Sequence, residues 1–169
     1  MRRKFFRRAA YAFGVAVAFV LLALLLIPKL TVFRVAFVWG ESVNVTLALA
    51  VPPVEKEMVQ GEYVALNWSG HDPNNVPHLK TGATLVKRIG CAPGQFLQVT
   101  AAEARCNGIL LGMIRTVSLS GLPLTPAFFN GVIPQGQYFM MGDHLASYDS
   151  RYLGLIPFEW VTARLAVKV

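Results

Sequence analysis

The stretch TLVKRIGCAPG, residues 84–94, alternates and then stops. Leu85, Lys87 and Ile89 fall on one side of an extended chain, and Val86 and Arg88 on the other, because successive side chains of a strand point to opposite faces. Ala92-Pro93-Gly94 then ends the run with turn-forming residues. Lys87 is the anomaly, a primary amine on an apolar face, and two readings of it stay open. At a strand edge it would snorkel its ammonium to water along an aliphatic stem. Held against apolar surface, it would lose hydration and its pKa would fall, leaving a neutral amine to act as a general base. A serine hydroxyl within reach would then make a nucleophile–base pair without histidine.

The strand pattern continues outward in both directions. TVFRVAFVW (31–39), EYVALNW (62–68), ATLVKRIG (83–90), QFLQVT (95–100), GQYFMM (136–141) and WVTARLAVKV (160–169) are rich in β-branched and aromatic residues and are predicted strands. Turn signals separate them at Gly61, SGHDPNNVP (69–77), APG (92–94), CNG (106–108), SGLP (120–123) and FNGVIPQG (129–136). Asn107-Gly108 predicts a hairpin that returns segment 95–106 beside 109–117. After residue 28 no stretch repeats its apolar residues at helical spacing. The expected fold is therefore mainly β, an antiparallel domain with a folded or barrel-like sheet.

Composition explains what lies before that domain. The 169 residues are 54% apolar and only 15% charged, and the excess is concentrated. Residues 9–27, AAYAFGVAVAFVLLALLLI, carry no charge, enough helix to cross the roughly 30 Å of bilayer hydrocarbon. MRRKFFRR precedes it with five basic residues and no acid, the arrangement of a single-pass helix whose N-terminus stays in the cytoplasm. A cleaved signal peptide shares that basic start. Its apolar core is shorter, roughly 7–15 residues, and no small-x-small site follows here. The expected organisation is a tail and transmembrane anchor over residues 1–29 and an extracytoplasmic β domain over 30–169.

Of the net charge of +7, the first eight residues supply most, leaving eleven basic against nine acidic groups in the rest. That balance removes the case for a nucleic-acid partner. Cys91 and Cys106 both follow the anchor. Outside the cytoplasm a disulfide between them is permitted; the other reading is two small buried hydrophobes.

A second stretch, MMGDHLASYDSRYLGLIP (140–157), gathers two acids, two serines, a histidine and an arginine among apolar residues. Alone it is a solvated turn or the wall of a site. Beside TLVKRIGCAPGQ the choice sharpens, since that segment resembles the Lys-Arg-x-x-Gly-x-Pro-Gly-Asp box of the bacterial signal peptidase I family. GDHLASYDSRYLGLIP resembles the same family's Gly-Asp-Asn…Ser-x-Asp-Ser-Arg-Tyr-x-Gly-x-Pro box, and QGEYVALNW its Gly-Asp-x-Val strand. FNGVIPQGQYFMMGDH and the SGLPL run look like the conjugative-transfer, TraF-type branch, which matures pilins or related secretion subunits.

The resemblance implies a serine endopeptidase with a Ser–Lys dyad, needing no cofactor and no metal. It makes Lys87 the general base, with Arg88 the basic residue beside it. Ser147 would orient the lysine, Asp149 and Arg151 would form a bracing salt bridge, and Gly142 and Asp143 would open the box. Gln95 and His144 depart from the pattern, standing where the family has Asp and Asn. His144 could be a ligand or an acid/base group, although a lone histidine in a polar turn is more often neither.

The nucleophile has two registers. Ser42-Val43-Asn44-Val45-Thr46-Leu47 matches the family's Ser-Met-x-Pro-Thr-Leu at Ser, Thr and Leu, making Ser42 the attacking residue. The branch pattern Asn-x-Thr-x-Ser-Leu-Pro places Ala48 where the serine belongs, so the nucleophile would be lost and the chain would be an inactive peptidase fold that binds pilin or secretion subunits. Ser42 as a plain turn residue is the third reading. The expected partners are a precursor with small residues at its cleavage site and the lipid bilayer, met by an apolar rim of Phe37, Trp39 and Leu49. The expected location is the inner membrane, with the catalytic domain in the periplasm; the product is released by hydrolysis or, through an internal amine, cyclised.

Overall fold

The computed structural model describes residues 15, 17, 21–22, 34–37, 42–44, 47–77 and 79–168. The chain divides into two units, Met1–Arg34 and Val35–Val169. The expected transmembrane segment lies outside the described residues except for Val15, Val17, Leu21 and Leu22, which are helical and exposed. Among the described residues no helix is long and apolar enough to cross a membrane. Of the expected rim, the side chains of Phe37 and Trp39 lie outside the description, and Leu49 is half-buried.

The second unit is built from strands. In chain order they are β1 (Arg34–Phe37), β2 (Leu47–Val51), β3 (Tyr63–Asn67), β4 (Thr84–Cys91), β5 (Phe96–Val99), β6 (Glu103–Cys106), β7 (Ile109–Met113), β8 (Phe129–Val132), β9 (Gln137–Met141), β10 (Ile156–Pro157) and β11 (Val161–Lys168). They form a seven-stranded sheet in the order β1-β2-β11-β3-β4-β9-β10 and a four-stranded sheet in the order β7-β6-β5-β8. The registers from β2 onward are antiparallel. The fold is thus mainly β and antiparallel, as expected, and is arranged as two sheets.

Three further expectations change. FNGVIPQG was read as a turn, yet Phe129–Val132 pairs with β5, Phe96 opposite Val132. An edge strand tolerates its Asn-Gly pair, and the turn proper falls at Pro134–Gly136, where the Gln137 N–H meets the Pro134 carbonyl. Asn107 (φ 48°) and Gly108 (φ 81°) do make a hairpin turn with two positive φ angles, but it joins β6 to β7 alone. β5 turns back on β6 earlier, where the Thr100 N–H meets the Glu103 carbonyl at 2.9 Å. Finally, helical turns occur at Ser150–Leu153 and, as 3-10 turns, at Glu55–Glu57 and Phe158–Trp160, each too short to leave a periodic signature.

The large sheet carries a core on each face. Val64, Leu66, Ile89, Met140 and Ile156 belong to one cluster, and Val43, Ala48, Tyr63 and Leu165 to another. A third cluster, with Leu97, Ala104, Phe139 and Met141, lies between the two sheets. Cys91 and Cys106 sit in it and form a disulfide, Cα atoms 5.7 Å apart, that ties β4 of one sheet to β6 of the other. The lysine-bearing strand is therefore anchored at its C-terminal end.

Candidate active site

β9 ends at Met141, opposite Arg88, so beyond that point β4 has no strand neighbour on this side. The chain leaves the sheet there as a loop over residues 142–149, and that loop covers Lys87. Only 4% of Lys87 is exposed, which excludes the snorkelling arrangement. Its Nζ donates to Ser147 Oγ at 2.8 Å. Burial pushes the Lys87 pKa down; Asp149 and Asp143 pull against that shift and Arg151 adds to it, leaving the amine below its ordinary range.

The wall behind Ser147 is an ion pair with its polar atoms satisfied. Arg151 Nε donates to Asp149 Oδ1 and Nη2 to Asp149 Oδ2, both at 2.9 Å, and both side chains are essentially inaccessible. Nη2 also donates to the Ser147 carbonyl (3.0 Å), and Nη1 donates to the Met113 carbonyl (2.9 Å). Asp149 also accepts from the N–H groups of Gly142 (2.9 Å) and Arg151 (3.2 Å), the second capping the helical turn that follows. Burial would lower the Arg151 pKa, but Asp149 holds it above its ordinary value. A buried pair is tolerable under such conditions, with each carboxylate oxygen and each guanidinium nitrogen engaged in a hydrogen bond.

Asp143 makes the second junction. Its Oδ1 accepts from Arg88 Nε at 2.9 Å, and its Oδ2 accepts from the Tyr63 hydroxyl at 2.6 Å and the Asn44 N–H at 3.0 Å. Burial works to raise its pKa, and the three donors together hold it below the usual carboxylate range. Burial and then Asp143 push the Tyr63 phenol up to about 12. The Asp143 N–H donates to the Ser42 carbonyl at 2.7 Å, so one residue grips both ends of the Ser42–Asn44 turn.

Gly142 explains how closely these parts approach. A β-carbon there would meet Ser147 Oγ and would lie 2.5 Å from both Ser147 Cβ and the Ser42 carbonyl oxygen. Only a hydrogen fits between the Ser42 turn and Ser147. Ser42 is half-buried at this junction.

Ala48 packs in the same cluster as Val43 of that turn. It is buried in β2 with Val43, Tyr63 and Leu165. Tyr63 pairs with Arg88 while Lys87 pairs with Val64, so the register puts Ala48 on the sheet face opposite that of Lys87. The two departures from the family boxes have local explanations. Gln95 Oε1 accepts the Ala92 N–H at 2.6 Å and closes its turn, and exposed His144 Nδ1 accepts the Ala146 N–H at 3.1 Å.

Sequence reasoning missed several residues that shape the site. Tyr63 was read only as a strand aromatic, Ser150 only as part of a box, and Asp72 and Asn74 only as turn formers. Ser150 Oγ accepts the Met140 N–H at 2.9 Å, and Tyr148 hydrogen-bonds both Asp72 and Asn74. The buried hydroxyl partners of Tyr63 and Tyr148 have no local signal, since 80 and 76 positions separate them from Asp143 and Asp72.

Among solved structures, a signal peptidase I from Enterococcus faecalis is similar at 22% sequence identity, over 67% of this chain and 100% of that one, with a TM-score of 0.41. No curated protein matches the chain. The sequence pattern of signal peptidase, peptidase S26, matches residues 10–169. The chain belongs to the signal peptidase family, peptidase S26, whose members are serine endopeptidases.

Proposed function

We propose that this protein is a membrane-anchored serine endopeptidase in which Ser42 attacks and Lys87 is the general base. Neutral Lys87 takes the Ser42 hydroxyl proton as Oγ adds to the scissile carbonyl, and the Ser42 N–H stabilises the oxyanion. Collapse expels the leaving amine, which takes the proton back from Lys87, and leaves an acyl ester on Ser42. Water, deprotonated by Lys87, then hydrolyses that ester; an amine of the same substrate chain would instead close a ring. The observation that carries the reading is the buried Lys87 amine held by Ser147. Ser42 is favoured over position 48 because its carbonyl lies beside Gly142, directly across from Ser147, whereas the Ala48 side chain is buried in the cluster with Tyr63 and Leu165.

The substrate in this reading is a pilin-like or secreted precursor of conjugative transfer, with small residues at the cut. The TraF-like details of FNGVIPQGQYFMMGDH and SGLPL support that branch. The Cys91–Cys106 disulfide supports a periplasmic domain, since such bonds persist in oxidising compartments, and the basic tail and apolar segment support an inner-membrane anchor. Lys87→Ala tests the proposal: precursor processing is lost while circular dichroism shows a folded β domain. Unchanged processing in that folded variant would sink it.

A further inference from the structure

The turn stretch SGHDPNNVP (69–77) connects β3 to β4, yet its side chains reach into the active-site loop. Asp72 is buried, and its carboxylate accepts from the N–H groups of Asn74 (3.0 Å) and Val76 (2.5 Å) and from the Tyr148 hydroxyl. The same hydroxyl accepts from Asn74 Nδ2 at 2.9 Å. Asn74 also grips Thr125 from both sides, Nδ2 donating to its carbonyl at 3.2 Å and Oδ1 accepting its N–H at 2.7 Å. The Tyr148 ring stacks on Tyr152, 5.3 Å between centroids and 6° from parallel, and the Tyr152 hydroxyl accepts the Arg115 N–H. The 72–74 turn and Tyr152 thus converge on the residue between Ser147 and Asp149, and each is itself tied to a further segment, at Thr125 and at Arg115.

We propose that Asp72 and Tyr148 are positioning residues of the lysine site, holding the 147–149 segment so that Ser147 Oγ stays on Lys87 Nζ. This rests on the reading of Lys87 as general base. The main chain of Ser147 is already held by Arg151 at its carbonyl and by the His144 carbonyl at its N–H. On the C-terminal side Asp149 is held by Arg151 and the Gly142 N–H. Tyr148 lies between these two held residues, and the Asp72 carboxylate fixes its side chain. Burial, and then Asp72, keep the Tyr148 phenol above its ordinary pKa, so it remains a donor at any working pH.

The charges acting on Lys87 are Asp149, Arg151 and Asp143, and Arg88 is engaged by Asp143. Asp72 acts instead through Ser147. Releasing Ser147 removes an acceptor from the ammonium, and charge-assisted hydrogen bonds are the stronger ones. The neutral amine loses less, so the Lys87 pKa should fall further while catalysis slows through misplacement.

The test uses the full chain in detergent micelles, with the Lys87 amine titrated by nitrogen-15 NMR in the native protein, Tyr148→Phe and Asp72→Asn. Cleavage of a synthetic precursor peptide with alanines flanking the cut is followed in parallel. The phenylalanine variant keeps the stacking on Tyr152. We expect Lys87 to titrate at lower pH in both variants, and kcat to fall about tenfold or more with KM unchanged. A lowered melting temperature with native Lys87 titration and native kcat would mean a merely structural role and overturn the proposal. Should Tyr148→Phe not fold, Asp72→Asn decides by its own Lys87 titration. If Lys87→Ala still cleaves the peptide, the general-base reading fails, while the Lys87 titration still reports on the clamp.

Discussion

Lys87 in β4 and Ser147 in the loop after β9 are 60 positions apart and share one buried 2.8 Å hydrogen bond. The strand supplies the amine, the apolar face strips its water, and the loop supplies an uncharged partner that leaves it free to accept a proton. A carboxylate in direct contact would have locked the ammonium. Asp149 and Asp143 act at longer range, and Arg151 and Arg88 take up their charge directly.

The pH dependence follows from the lowered Lys87 pKa. Activity needs the neutral amine, so kcat should rise with pH along a limb centred below the ordinary lysine value of 10.5. Stability should move the same way. Between the folded and unfolded pKa values the unfolded chain binds more protons, so unfolding free energy increases with pH across that window. In Lys87→Met cleavage should be lost, and the slope of stability against pH should vanish, as read from a peptide-cleavage assay and urea melts.

Gly142→Ala should cost activity before it costs the fold. The new methyl group would press on Ser147 and on the Ser42 carbonyl, which are the two sides of the proposed site. The expected effect is a fall in kcat of about 100-fold, the scale of a 1 Å misplacement. Unchanged kcat in a folded alanine variant would show that this close approach has no catalytic consequence.

Asp149→Ala leaves the Arg151 guanidinium buried without its counter-charge. Losing one partner of such a pair costs about 3–5 kcal/mol. Urea unfolding should show this as a lower midpoint. Replacing both residues by apolar ones of similar volume should cost less than the single change.

Cys91→Ala/Cys106→Ala should unfold more easily. The bridged loop spans 15 positions, for which chain entropy gives about 3 kcal/mol. For a domain of this size that is a drop in Tm of about 10 °C. Because the bond ties the lysine strand to the second sheet, calorimetry with and without reductant on the native chain should show the same shift.

Much of this was legible in the residues. The alternation in TLVKRIGC and the turn after it located β4 to within a residue, because a half-buried strand must alternate. Asn107-Gly108 located its hairpin because few residue pairs accept two positive φ angles. The boxes around Lys87 and Ser147 announced a site through their chemistry. What stayed hidden depends on distant partners. β8 has only four residues and contains Asn-Gly, so only its register with β5 makes it a strand. Asp72 and Tyr63 act through hydroxyl–carboxylate bonds across loops and strands, which no local pattern encodes. The choice between Ser42 and Ala48 was a choice of register, and the contacts of the Ser42 turn with Gly142 and Asp143 bear on it more than any motif.

The most direct measurement compares precursor cleavage by Ser42→Ala and Ala48→Ser in the full-length chain. Loss of cleavage in folded Ser42→Ala, with no gain in Ala48→Ser, is the predicted result. Native cleavage without the Ser42 hydroxyl, or activity appearing only with a serine at position 48, would contradict the account.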